Sequence, residues 1–113
     1  CRNPKLQHEK GSVLIAACKR MVLERSCAWK LKSDKIQKEL VAEVQSEARD
    51  IEDLARLVGQ HQACPFYVSR EAQVDADIVF VPYNYVLDPV SRDGLLIDLV
   101  NDVIIFDEAH NVQ

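Results

Sequence analysis

The sequence predicts an α/β architecture: a helical first part, residues 1–64, gives way in residues 65–113 to helix–strand alternation. Three observations carry this prediction. Apolar residues recur at helical spacing through the first two thirds of the chain. Two short runs rich in β-branched and aromatic residues, Ile78-Val79-Phe80-Val81 and Val103-Ile104-Ile105-Phe106, come only afterwards. Neither run alternates with polar residues, which suits strands covered on both faces, as in a parallel sheet.

The elements follow in chain order. Ser12 can cap a helix through Val13, Ile15, Ala16, Val22 and Leu23, with Lys19 and Arg20 on its wetter side. Polar Glu24-Arg25-Ser26 is its expected end. Residues 34–47 place Ile36, Leu40, Val41 and Val44 at near-helical spacing among charges and read as an amphipathic helix. Asp50 with Asp53 resembles a capping arrangement for a short helix that carries Ile51, Leu54, Leu57 and Val58 on one face and ends at Gly59. Pro65 suits the first position of another helix, reaching about residue 73, with Cys64 at its cap. Past the strand at 78–81, residues 83–87 are expected to be helical, with Tyr83-Asn84-Tyr85 serving core and hydrogen-bonded packing. Asp88-Pro89 and Arg92-Asp93-Gly94 mark turns before the apolar stretch 95–100, and the strand at 103–106 closes the series.

With 113 residues and 48% hydrophobic content the chain can bury a core, and no apolar run approaches the roughly 20 residues that cross a bilayer. It starts at Cys1 without a Met or a signal segment and stops three residues after Asp107-Glu108-Ala109-His110, so it reads as a piece of a longer protein. The net charge is −4, unevenly spread. Residues 1–38 hold ten Lys or Arg against three acids, and the remaining residues hold four against fifteen. A first third this basic suits a polyanion, through backbone contact more than base reading, with Trp29 the main candidate for stacking.

Cys1, Cys18, Cys27 and Cys64 are spaced C-x16-C-x8-C-x36-C. The lack of a secretory signal argues against two disulfides. A zinc site usually shows one tight C-x2-4-C pair, which is missing, and four thiolates are the usual ligands of a [4Fe-4S] cluster. Spacing alone leaves cluster, zinc and unliganded or disulfide-bonded cysteines open. It does make one restriction. On a continuous helix Cys18 and Cys27 would point about 180° apart and lie roughly 13 Å apart along the axis, so the helix must end before Cys27. His8 and His61 read as surface residues.

The acidic pair Asp107-Glu108 falls just beyond the carboxyl end of the second apolar run, where parallel sheets bind ligands. In phosphoryl transfer an acid there holds Mg²⁺ against the phosphates of ATP, and a second polar group orients or deprotonates the attacking water. An acidic pair at such a place can also be a solvated helix cap. No G-x-x-x-x-G-K-[ST] phosphate loop is present: the glycines are Gly11, Gly59 and Gly94, and none precedes a Lys. The 113 residues alone are expected to have no ATPase activity.

C-P-F-Y-V-S-R at 64–70, A-D-I-V-F-V-P-Y-N-Y-V-L-D-P at 76–89 and V-I-I-F-D-E-A-H-N-V at 103–112, with the four cysteines, resemble the iron-sulfur DNA helicases of the xeroderma pigmentosum group D type. These are superfamily 2 enzymes of the DEAH kind, and the likeness covers the whole chain. D-I-E-D-L at 50–54, the Ser-Arg pair after C-P-F-Y and I-F-D-E-A-H-N-V look most like the telomere-type branch; the Fanconi anaemia group J branch usually reads I-L-D-E-A-H-N. Departures are small: C-R-N-P stands for the common C-x-H-P, Phe66 where Tyr is frequent, and Gln113 for an acid.

The resemblance implies a RecA-like motor domain carrying a mainly helical iron-sulfur insertion. Cys1, Cys18, Cys27 and Cys64 would bind the [4Fe-4S] cluster, Asp107 would hold Mg²⁺ with ATP, Glu108 would activate water and His110 would couple hydrolysis to motifs outside this chain. It implies ATP-dependent 5′ to 3′ translocation on single-stranded DNA, parting of duplex at a junction, a nuclear location and work in repair, recombination control or telomere maintenance. Lys19, Arg20, Arg25 and Lys30 are the candidates for DNA backbone contact. Two other readings keep the same residues: a zinc- or cluster-stapled DNA-binding module, and a scaffold without turnover.

Overall fold

The computed structural model describes residues 1–95 and 97–112. Leu96, which the sequence reading put in the apolar stretch 95–100, and Gln113, counted among the departures, lie outside the described residues. The chain divides into two compact units, the first Cys1–Ala76 and the second beginning at Asp77. The division falls after the helix that Cys64 introduces, because that helix packs on the two before it.

The first unit opens with a 3-10 turn, Pro4–Leu6, capped by the Asn3 side chain, whose oxygen accepts from Lys5 N–H at 3.0 Å. Helix α1 (Gly11–Leu23) follows, with Lys10 rather than the expected Ser12 at its N-cap and no side-chain cap bond. It ends where the cysteine restriction requires. Arg25 takes a left-handed φ of 52°, Arg25 N–H bonds Val22 O at 3.1 Å and Ser26 N–H bonds Met21 O at 2.9 Å. That pairing is a Schellman stop, built without glycine.

The amphipathic helix expected over 34–47 starts later, at Gln37, and a helix that the sequence reading did not assign, Ala28–Lys35, precedes it. α2 (Ala28–Lys35) and α3 (Gln37–Gln45) break at Ile36, whose backbone (φ −122°, ψ 26°) is not helical. Ile36 packs against the core at the break, so tertiary contact decides a point that periodicity left continuous. α4 (Ile51–Gln60) is capped as expected, Asp50 Oδ1 accepting from Asp53 N–H at 2.7 Å. Gly59 does not end it. The stop is a second Schellman turn with Gln62 at φ 55°, Gln62 N–H bonding Gly59 O at 3.0 Å and Ala63 N–H bonding Val58 O at 3.2 Å. Ala63 and Val58, the apolar pair such a turn brings together, are both 0% exposed. α5 (Pro65–Ala72) has Pro at its start and Cys64 at its cap.

α3, α4 and α5 enclose the core of this unit: Leu40 and Val44, Val58 and Ala63, and Val68 and Ala72, with Val41, Leu54 and Leu57 packed around them. Gln45 Nε2 donates to Ala72 O at 3.0 Å, tying α3 to the end of α5. α2 packs on both α3 and α5, while α1 touches the Pro4–Leu6 turn and buries none of its own residues fully.

The second unit corrects the predicted strands. Among the described residues there is no β-strand, and the runs at 78–81 and 103–106 carry no ladder. Most of their side chains are exposed, Phe80 at 93% and Val103 at 90%. A strand has no hydrogen bonds of its own and forms only against a neighbour; among the described residues neither run is paired with one. Helix α6 (Tyr83–Leu87) matches the expected bounds. Residues 89–95, expected as turns, form helix α7 (Pro89–Leu95). Asp88 caps it, its carboxylate accepting from Ser91 N–H at 2.9 Å and Ser91 Oγ–H at 2.6 Å, with Pro89 at the first position. A 3-10 turn, Ala109–Asn111, ends the described chain.

Candidate functional site

Two candidate sites arise, one in each unit. In the first, Cys27 and Cys64 reach the same position by the same route: each lies two residues past a left-handed Schellman residue and is the N-cap of the next helix. Cys18 is half-buried in α1, Cys27 is buried, Cys64 is half-buried, Cys1 is exposed, and all four thiols are free.

Electrostatics bring these groups into one neighbourhood. Burial pushes the Cys18 thiol up from its ordinary value, negative charge on Cys64 and then Cys27 pushes it further, and the α-amino group of Cys1 opposes them. Tyr67 of α5 feels the same group. Burial raises its phenol, Cys18, Cys64 and Cys27 add to the rise, and Arg70 opposes it. Among the described residues no three His, Cys, Asp or Glu stand close enough together to hold a metal ion. The donor set nonetheless fits one: four soft sulfur ligands, two at helix N-termini, whose protons a metal would displace.

Two polar side chains are the nearly buried ones of this unit, and both serve cysteines. Ser33, 3% exposed, accepts Cys64 N–H at 2.7 Å through Oγ and donates to Trp29 O at 2.9 Å. It thereby ties the helix that Cys27 begins to the backbone of Cys64. Asn3, 5% exposed, turns its amide nitrogen to Cys27 Sγ at 3.5 Å and Met21 Sδ at 3.8 Å. Neither was singled out in the sequence, where Asn3 stood only as a departure from C-x-H-P and Ser33 as one of several serines. The Asn-Pro pair is the signal from which the cap could have been read.

The candidate DNA contacts lie near these cysteines along the chain. Lys19 and Arg20 are exposed on α1 directly after Cys18, and Arg25 is exposed in the first Schellman turn. Lys30 pairs with Asp34 and sits over the Tyr67 ring at 4.7 Å. Arg25 and Lys30 line a cavity of about 80 Å³ beside Cys27, well short of the roughly 300 Å³ at which ligand pockets begin. It is too small for a base. Trp29 is half-buried, and His8 and His61 are exposed as expected, His61 Nε2 lying 3.3 Å from a Glu43 carboxylate oxygen.

In the second unit the D-E-A-H residues form an exposed turn. Asp107 Oδ1 accepts Glu108 N–H at 2.9 Å. Glu108 has a left-handed backbone (φ 50°, ψ 44°), and His110 Nδ1 is 3.2 Å from its carboxylate. Tyr83 holds the turn from behind: its hydroxyl bonds Asp107 O and, at 3.2 Å, Glu108 O, while its ring lies 6.1 Å from that of Phe106. The packing role expected of 83–85 thus falls to Tyr83; Asn84 and Tyr85 are exposed. Carboxylates suit a hard cation; Asp107, Glu108 and His110 lie along one turn, and of their side chains His110 and Glu108 meet, short of a cluster that could hold a metal ion.

The chain that carries the helical cysteine unit and the D-E-A-H turn belongs to the DEAD_2 family, whose model matches residues 1–113. The telomere-type likeness read from the motifs is shown as well. Regulator of telomere elongation helicase 1 of Pongo abelii and that of Homo sapiens are each 42% identical over all of this chain, which covers 9% of either relative. The homolog of Aedes aegypti is 40% identical over the same span, which is 11% of its length. The chain therefore spans about a tenth of the curated relatives it matches. No solved structure matches it.

Proposed function

We propose that this chain is part of an ATP-dependent 5′ to 3′ DNA helicase that acts in the nucleus, in telomere maintenance, DNA repair or recombination control, with residues 1–64 as an iron-sulfur insertion in a RecA-like α/β motor domain. One observation carries the reading. Cys18, Cys27 and Cys64, from three separate places in the sequence, interact with one another and with the α-amino group of Cys1, and three of the four cysteines lie within the basic segment 1–38. Cys1, Cys18, Cys27 and Cys64 would hold a [4Fe-4S] cluster, which supplies a cross-link among α1, α2 and α5 that their modest core does not. Lys19, Arg20, Arg25 and Lys30 meet the phosphates of single-stranded DNA beside a duplex junction. Asp107 would hold Mg²⁺ with ATP, Glu108 takes the proton of the attacking water, and His110, 3.2 Å from the Glu108 carboxylate, steadies it. The 113 residues by themselves do not hydrolyse ATP, because they contain no phosphate loop.

The test has two arms on the intact protein. Anaerobic purification gives about four iron atoms per chain and no zinc; zinc in place of iron would favour a zinc-stapled binding module. Glu108→Gln keeps DNA binding and abolishes unwinding, and unwinding at the unmodified rate would refute the role assigned to Glu108.

A further inference from the structure

The geometry points to Asn3 as a positioning residue that holds Cys27 as an anionic ligand and sets the cluster's reduction potential by donating an N–H···S hydrogen bond. The inference rests on the cluster reading above and deepens it. Asn3 is 5% exposed, and both ends of its amide are engaged. Its oxygen accepts Lys5 N–H at 3.0 Å, which fixes the direction of the amide. The nitrogen must then face the two sulfurs, Cys27 Sγ at 3.5 Å and Met21 Sδ at 3.8 Å. A flipped amide would set its NH₂ against the Lys5 N–H and its oxygen against sulfur lone pairs.

A sulfur that ligates iron is a stronger hydrogen-bond acceptor than a neutral thiol, so the amide donor is placed where a ligand sulfur would use it. Cys27 is 6% exposed, and water cannot replace the donor freely. Hydrogen bonds to the sulfurs are among the factors that set iron-sulfur potentials, since they favour the form with more negative charge. Capping the Pro4–Leu6 turn does not by itself call for Asn: Asp or Ser caps as well. The sulfur contact does call for a donor.

That difference supplies the experiment. In the intact protein, purified anaerobically, Asn3→Asp keeps an acceptor for Lys5 N–H and loses the donor toward Cys27, and Asn3→Ser keeps the acceptor on a side chain too short for its hydroxyl to span the Asn3 amide's reach to the sulfur. Both are expected to release iron to a chelator roughly 10-fold faster than the unmodified protein. Their midpoint potentials move to more negative values, further for Asp, which adds a charge beside sulfur. Asn3→His, with a ring N–H, restores slow release and most of the potential. Circular dichroism checks that the helices are retained. Iron release and potential unchanged in both Asn3→Asp and Asn3→Ser would overturn the inference, as would an Asn3→His variant no better than Asn3→Ser. If the unmodified protein holds no iron, the cluster reading falls and this inference with it.

Discussion

Replacing Ser33 by Ala removes one oxygen from the inside of the first unit and exposes how far its cysteine geometry rests on a single hydrogen bond. The hydroxyl is 3% exposed and accepts Cys64 N–H at 2.7 Å. Trp29 O would lose a side-chain donor and keep its ordinary helical partner, the Ser33 backbone N–H. Cys64 N–H would lose its acceptor where water has little access. A buried group left unpaired in this way costs about 1–3 kcal/mol. A central value near 2 kcal/mol lowers the melting temperature of a unit the size of Cys1–Ala76 by roughly 8–16 °C. The assay is thermal unfolding followed by far-ultraviolet circular dichroism, compared with an exposed control such as Ser46→Ala. A loss below about 0.5 kcal/mol, the size expected of a surface change, would refute the claim that Ser33 ties α2 to Cys64.

Two further perturbations follow from the turns and caps. Gln62→Gly relieves a left-handed φ of 55°; the strain of about 1–2 kcal/mol, less the greater entropy of an unfolded glycine, leaves a stabilisation of roughly 0.5–1 kcal/mol, measured by the shift in denaturant midpoint, and a destabilised variant would sink the idea. The Asp88 carboxyl is held below its ordinary value of 3.8, first by the Ser91 hydroxyl and then by the Ser91 N–H. Its contribution to α7 is therefore complete above that value and is lost as pH falls through the lower pKa of the folded state. The Ser91 amide resonance should titrate with a midpoint below 3.8, and a midpoint at or above it would contradict the cap.

Some of this was legible in the sequence because the signals are local. Asp50 and Asp53 spelled a cap, Pro65 marked the first turn of a helix, and the two-ligand geometry of Cys18 and Cys27 demanded a helix stop between them. What was not legible depends on partners distant in the chain or outside it. The runs at 78–81 and 103–106 have the composition of strands, yet pairing belongs to a sheet and not to a segment, and among the described residues neither run is paired. The end of α1 at residues 24–26 was expected, but its left-handed geometry at Arg25, like the stop at Gln62, was hidden because neither residue is glycine, the usual sign of a left-handed end. Asp88-Pro89 was read as a turn although it is equally a cap followed by a first-position proline. Asn3 and Ser33 gained meaning only when residues 24 and 31 positions away came beside them.

The twin Schellman stops bear on how such a unit can change over evolution. Cys27 and Cys64 are each indexed to the turn immediately before them, two residues back, and not to a distance counted along the chain. Insertions in residues 46–49, between α3 and α4, would lengthen the path without shifting either turn, at about 0.6 kcal/mol for each doubling of the loop. A change of one residue between a stop and its cysteine would rotate the thiol away from the helix start. Length can therefore drift freely in one place and hardly at all in two others on either side of it.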